Sequence, residues 1–154
     1  MKISEIMRSP VPVVHESDSI ERAAVLMLQN DLRGLPVVDD RGEISGFISV
    51  SDFLASEKGF PFTQFRALQL FGRWLQKDEA ESIYEDARSL PVRKIMSSPA
   101  HTMQEDDTVE DFLKLVVQQG FSRMPVVRAR VPVGIVARFD LLKLMCRDIG
   151  RTAL

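Results

Sequence analysis

GFISVSD at residues 46–52 and GIVARFD at residues 134–140 are two versions of one phrase, each running from Gly through a short apolar stretch to Asp. The correspondence extends upstream. Ile6-Met7 is echoed by Ile95-Met96, Pro10 by Pro99, Glu16 by Glu105, Asp18 by Asp107, Glu21 by Glu110 and Pro36-Val37-Val38 by Pro125-Val126-Val127, all 89 residues apart. Gly46 and Gly134 are 88 apart, so one residue is lost between the Val-Val strand and the glycine, where a turn absorbs it. A fixed internal period marks a duplicated architecture and has to be read before any local element.

Each copy carries the same signals in the same order. An extended, Pro-punctuated stretch, Ser9 to Val14 or Ser98 to Met103, leads to Asp18-Ser-Ile-Glu21 or Asp107-Thr-Val-Glu110. These predict an acidic N-cap with Glu three residues on, which satisfies free backbone donors at a helix start. Ile20, Ala24 and Met27, and Val109, Phe112, Leu113 and Val116, recur at three- and four-residue steps and give each helix an apolar face. Pro36 to Val38 and Ile44 to Ile48 predict a hairpin closed over Asp39-Asp40-Arg41-Gly42. A second helix opens at Asp52 and at Asp140. The order is extended, helix, strand, strand, helix, twice.

Composition narrows the class. The 154 residues are 45% hydrophobic and 27% charged with a net charge of −2, which suits a soluble globular protein. No global positive field points to nucleic acid or to an anionic membrane as a partner, and no run approaches the ~20 apolar residues that span a bilayer. Lys2, Glu5 and Arg8 interrupt any apolar run near Met1, so a secretory leader is not expected and a cytoplasmic location is. Cys146 is the single cysteine, and with His15 and His101 the only histidines a four-ligand zinc site is not expected.

A unit of some 50 to 60 residues buries too little surface to be secure alone, so two copies packed together are expected. Between them, residues 60–90 are too long and apolar for a simple linker; Phe65, Leu68, Phe71, Trp74 and Leu75 form a stripe followed by Ile83, Tyr84 and Ala87. One or two amphipathic helices are predicted, either capping the repeat core or forming a dimer contact.

On these residues, above all Ile-Met at the head of each copy, the Leu35/Met124-Pro-Val-Val strands and the two Gly-to-Asp phrases, the chain resembles a tandem pair of CBS domains, the arrangement called a Bateman module. The resemblance covers about residues 2–57 and 91–147, with 58–90 as a helical insertion. It implies a mixed α/β (α+β) fold of two βαββα repeats with pseudo-twofold symmetry and two equivalent clefts. In this family such clefts often hold AMP, ADP, ATP or S-adenosylmethionine.

The chemistry of Ser-x-x-Asp supports that implication independently. A strand running into a helix N-terminus presents free N–H groups suited to phosphate, an Asp there can accept both ribose hydroxyls, and Ser49 adds a hydroxyl. The alternative is that Asp52 and Asp140 are only helix N-caps. By position, the family resemblance would combine Ser49 and Asp52 with His101, Phe121, Ser122 and Arg123 in a first cleft. There His101 and Phe121 would edge the base and the Arg123 guanidinium would meet phosphate. Asp140 would join Pro12, Leu32 and Arg33 in a second, weaker cleft, where Ala137 removes a hydroxyl and Gly34 stands in the place of Arg123.

No catalytic signature is present: no GxSxG, no P-loop, no GxGxxG after a strand. Asp39-Asp40 and Asp106-Asp107 lie in turn and cap contexts, and Cys146 sits on an apolar stretch. The expectation is a non-enzymatic regulatory module with no required cofactor and an adenosine nucleotide as ligand. It would be a homodimer acting on a separate effector protein. A ligand-free dimerising scaffold is the alternative.

Overall fold

The computed structural model describes residues 1–54, 85 and 87–146, so the expected insertion at 58–90 lies almost entirely outside the described residues. Two compact units divide the chain: Pro12–Pro99 form one, and Met1–Val11 with Ala100–Leu154 form the other. They are called here the Asp52 unit and the Asp140 unit. The fold is mixed α+β, as expected, with one three-stranded sheet in each unit.

In the Asp52 unit, β1 (Val14–His15) runs parallel to β2 (Gly34–Val38), and β2 pairs antiparallel with β3 (Ile44–Ser49). Helix α1 (Ile20–Gln29) makes the crossover that a parallel pair requires, and α2 (Val50–Leu54) follows β3. Ile20, Ala23 and Met27 bury one face of α1 against Val14, Leu35, Val37 and Ile48. Ala24, expected on that face, is half-buried beside Ala23. The hairpin turn is held by the Asp39 carboxylate, which accepts from the N–H groups of Arg41 and Glu43 at 2.9 and 3.0 Å, with Gly42 at φ +75°.

The Asp140 unit repeats this order with β4 (Met103–Gln104), α3 (Val109–Gln119), β5 (Arg123–Arg128) and β6 (Val131–Ala137). Its hairpin turns on Ala129 and Arg130, both at positive φ, as a two-residue primed turn requires. The residue missing from the second copy therefore falls in this turn. Val109 and Phe112 are buried and Val116 is partly buried, whereas Leu113 is exposed.

Two expectations need correcting. The helix caps are Ser19 and Thr108, whose side chains accept from the N–H groups of Arg22 and Asp111, and not Asp18 and Asp107. The two aspartates close the preceding turns instead, accepting from the N–H groups of His15 at 2.9 Å and Gln104 at 2.7 Å. The element carrying Asp140 is a 3-10 helix, Arg138–Met145, not an α-helix. Leu142, Leu144 and Met145 are exposed while Leu141 packs on the core, so little apolar burial holds it in α geometry.

Each unit is completed by the leader that precedes the other repeat in sequence. Ile3 and Ile6 are buried in the core with Met103, Phe112, Met124, Val126 and Val136, while Val92 and Ile95 are buried with Val14, Leu35 and Ile48. Short 3-10 turns, Ile3–Glu5 and Val92–Lys94, shape the leaders. Backbone hydrogen bonds fix them: Arg8 exchanges both bonds with Ile135 at 2.8 and 3.0 Å, and Ser97 does so with Phe47 at 2.9 and 3.0 Å.

The leader methionines explain both glycines of the opening phrase. A Cβ at Gly46 would lie 2.5 Å from Met96 Sδ and 2.9 Å from the Ser97 carbonyl oxygen; at Gly134 it would meet Met7 Sδ at 2.6 Å and the Arg8 carbonyl at 2.9 Å. An ion pair adds to the first leader's attachment, and a second one stiffens the repeat that receives it. Lys2 Nζ meets Asp106 at 2.6 Å, and Arg128 chelates Glu105, holding that carboxyl below its usual range.

Ile3→Ala is therefore expected to cost about 2–4 kcal/mol in urea unfolding. Hydrogen exchange should accelerate in residues 103–136 and not in 14–48; acceleration confined to the sequence-adjacent repeat would refute the leader exchange.

Candidate functional site

Asp52 is the one buried charged or polar residue among the described residues, at 8% exposure. A carboxylate is costly to bury without hydrogen bonds. Its Oδ2 accepts from the Ser49 N–H at 2.7 Å and the Ser49 hydroxyl at 3.2 Å, while the Ser97 hydroxyl stands 3.5 Å from Oδ1. Ser49 and Ser51 share a 2.8 Å hydrogen bond between hydroxyls. Two serine hydroxyls thus meet one carboxylate where β3 gives way to α2, and a third, that of Ser51, bonds to the first of them. Ser51 and Ser97 were not among the residues expected; Ser97 is reached only because its leader packs along Phe47.

Asp52 is accordingly no N-cap. It sits inside the first turn of α2 and reaches back to the strand-end N–H, and the backbone repeats this at Asp140, whose Oδ2 accepts from the Ala137 N–H at 2.8 Å. What surrounds the two carboxylates differs. Ala137 offers no hydroxyl, and Asp140 Oδ1 meets Lys143 Nζ at 2.9 Å.

The other expected residues divide between the units. His101 and Phe121 belong to the Asp140 unit and form a tilted ring pair, centroids 4.9 Å apart, with His101 exposed and Phe121 packed on the core. Ser122 is exposed, and its carbonyl accepts from the Arg138 N–H at 3.0 Å. Arg123 pairs in register with Ala137, just as Gly34 pairs with Ser49. Pro12, Leu32 and Arg33 lie in the Asp52 unit: Pro12 is half-buried, Leu32 packs on the first core, and the Arg33 carbonyl accepts from the Val50 N–H at 3.2 Å.

Arg138 is a further residue that its sequence context does not single out. Its guanidinium donates to the carbonyls of Phe121 at 2.9 Å and Gly120 at 2.7 Å, satisfying acceptors at the end of α3. It thereby ties the start of the Asp140 turn to the segment carrying the ring pair. Among the described residues, no group of three or more His, Cys, Asp or Glu side chains is placed to hold a metal ion. No helix among them is long and apolar enough to cross a membrane.

Two three-stranded repeats, each with a carboxylate at a strand-to-helix turn, define a paired-repeat protein. The CBS domain family matches residues 3–59 and 92–147, and the chain belongs to that family. It is 31% identical over 154 residues to the uncharacterized protein MJ1404 of Methanocaldococcus jannaschii, covering 99% of this chain and 34% of that protein. The chain thus spans about a third of that relative's length. Among solved structures it is similar to the CBS domain of a CBS domain containing membrane protein from Sphaerobacter thermophilus. That likeness has 37% identity and a TM-score of 0.76 over 94% of this chain and 87% of the other. It also matches the fold of CBSX2, a protein of Arabidopsis thaliana, in a complex with AMP: 23% identity and a TM-score of 0.66 over 94% and 95% of the two chains.

Asp52→Ala leaves the Ser49 N–H without its acceptor and is expected to cost about 1–3 kcal/mol in thermal or urea unfolding without ligand. Asp52→Asn, whose amide oxygen still accepts, should cost less; equal losses would remove the hydrogen-bonding role.

Proposed function

We propose that the chain is a regulatory module that binds an adenosine nucleotide at Asp52 and passes the signal to a separate protein. The observation that carries this reading is the buried Asp52 carboxylate with the hydroxyls of Ser49 and Ser97 on it and that of Ser51 bonded to Ser49. Carboxylate and hydroxyls together suit a vicinal diol, whose two O–H groups donate to the acid while its oxygens accept from serine. AMP bound to CBSX2, which shares the fold, supports the choice of ligand class. His101 and Phe121 supply an aromatic edge for the base, and Ser122 and Arg123 groups for phosphate, in the assignment that the family resemblance gives. The Asp140 turn, without the hydroxyl of Ser49, is the weaker of the two sites.

The same proposal includes a homodimer. Leu28 and Val117 hold equivalent helix positions and are 84% and 79% exposed, which supports apolar association and also sustains the alternative of a ligand-free dimerising scaffold.

Titration calorimetry with AMP, ADP, ATP and S-adenosylmethionine separates the readings. A diol bonded to a charged carboxylate contributes about 1.5–3 kcal/mol per hydrogen bond, so Asp52→Asn should weaken binding at least about tenfold. A ligand at 100 times its Kd should add about 2.7 kcal/mol to stability. Failure of every adenosine compound to bind, with a dimer retained in sedimentation, would establish the scaffold instead.

A further inference from the structure

We propose that Lys143 is an intramolecular occupant of the Asp140 turn, holding the second site closed to a diol ligand. This rests on the reading that Asp52 binds such a ligand. Both oxygens of Asp140 are engaged: Oδ2 by the Ala137 N–H at 2.8 Å, Oδ1 by Lys143 Nζ at 2.9 Å. The ammonium is anchored a second time, donating to the Ile6 carbonyl at 2.5 Å. The pair is half-buried, with side-chain exposures of 38% for Lys143 and 14% for Asp140, so salt screens it less than a fully exposed pair.

The 3-10 geometry of Arg138–Met145 is what makes the contact. With three residues per turn, positions i and i+3 eclipse, and Lys143 falls directly over Asp140. At Asp52 the side-chain partners named above are hydroxyls, which can exchange hydrogen bonds with a diol. An ammonium cannot accept one, so a ribose entering at Asp140 has to displace a charge from the acid and from the leader carbonyl together. In the sequence of the first copy the position of Lys143 is taken by Ala55. Lys143 is thus a specificity-determining residue of the Asp140 turn.

Calorimetric titration with AMP and with adenosine tests this on the full chain. Wild type should bind one AMP. Lys143→Met keeps the apolar stem and should bind two, the second site tightening about tenfold or more for both compounds as one charge-assisted bond is removed. Lys143→Arg keeps the cation and should stay at one, and adding Asp140→Asn to Lys143→Met should abolish the gain. Thermal unfolding confirms that each variant is folded, with Lys143→Gln replacing the methionine variant should that one unfold. One AMP bound by folded Lys143→Met overturns the role of Lys143 and leaves the Asp52 reading intact. The role is equally overturned if AMP binding falls while adenosine binding holds, since Lys143 is then a phosphate ligand. If neither wild type nor any variant binds, the nucleotide reading falls, and the Lys143 proposal falls with it.

Discussion

The structure depends on an exchange of leaders. Neither three-stranded sheet closes its core with its own preceding segment: Ile3 and Ile6 fill the core of the Asp140 unit, and Val92 and Ile95 fill that of the Asp52 unit. The contact that fixes the register is the seat of Met96 on Gly46 and of Met7 on Gly134, where any side chain would overlap sulfur and carbonyl oxygen. Burial of an isoleucine contributes a few kcal/mol, so two per unit are a large share of the marginal stability of a domain of this size. The chain passes between the units at Val11–Pro12 and Pro99–Ala100, and each unit is consequently built from segments remote in sequence.

Much of this was legible in the residues, and the failures have physical causes. The repeat, the hairpins and one face of each helix follow from spacing, because periodicity reports burial directly. The caps are ambiguous in sequence because Asp18-Ser19 and Asp107-Thr108 each place two good capping residues side by side, and only the backbone decides which one turns toward the helix. The leader exchange left no trace, since Ile-x-x-Ile-Met and Val-x-x-Ile-Met suit either core equally well. Residues 58–90, with the pattern of amphipathic helices, lie almost wholly beyond the described residues.

At the candidate site, Ser49, Asp52 and Ala137 were legible because they sit in the repeated phrase. Ser97 was not, since it joins Asp52 only through strand pairing between Phe47 and its leader. Lys143 escaped notice for a related reason. On an α-helix an i,i+3 Asp–Lys pair is an ordinary surface contact; here the 3-10 pitch and the Ile6 carbonyl make it a fixed, half-buried one.

The two copies also sort their own residues into those the fold needs and those it does not. Met7 and Met96, Gly46 and Gly134, and Asp52 and Asp140 are the same in both, and each has a structural duty: the glycines admit the methionines, and the aspartates accept the strand-end N–H. The presence of Asp52 is therefore explained without any ligand. Binding chemistry has to come from what differs around that shared carboxylate-to-strand-end bond: Ser49 against Ala137, Ser51 against Phe139, Ser97 against Arg8. None of these hydroxyls is required to close the turn, because the Asp140 turn closes without them. Two hydroxyls on one carboxylate, with a third bonded to the first and all three missing from its twin, are more than the backbone demands, and that surplus is what the proposed binding chemistry draws on.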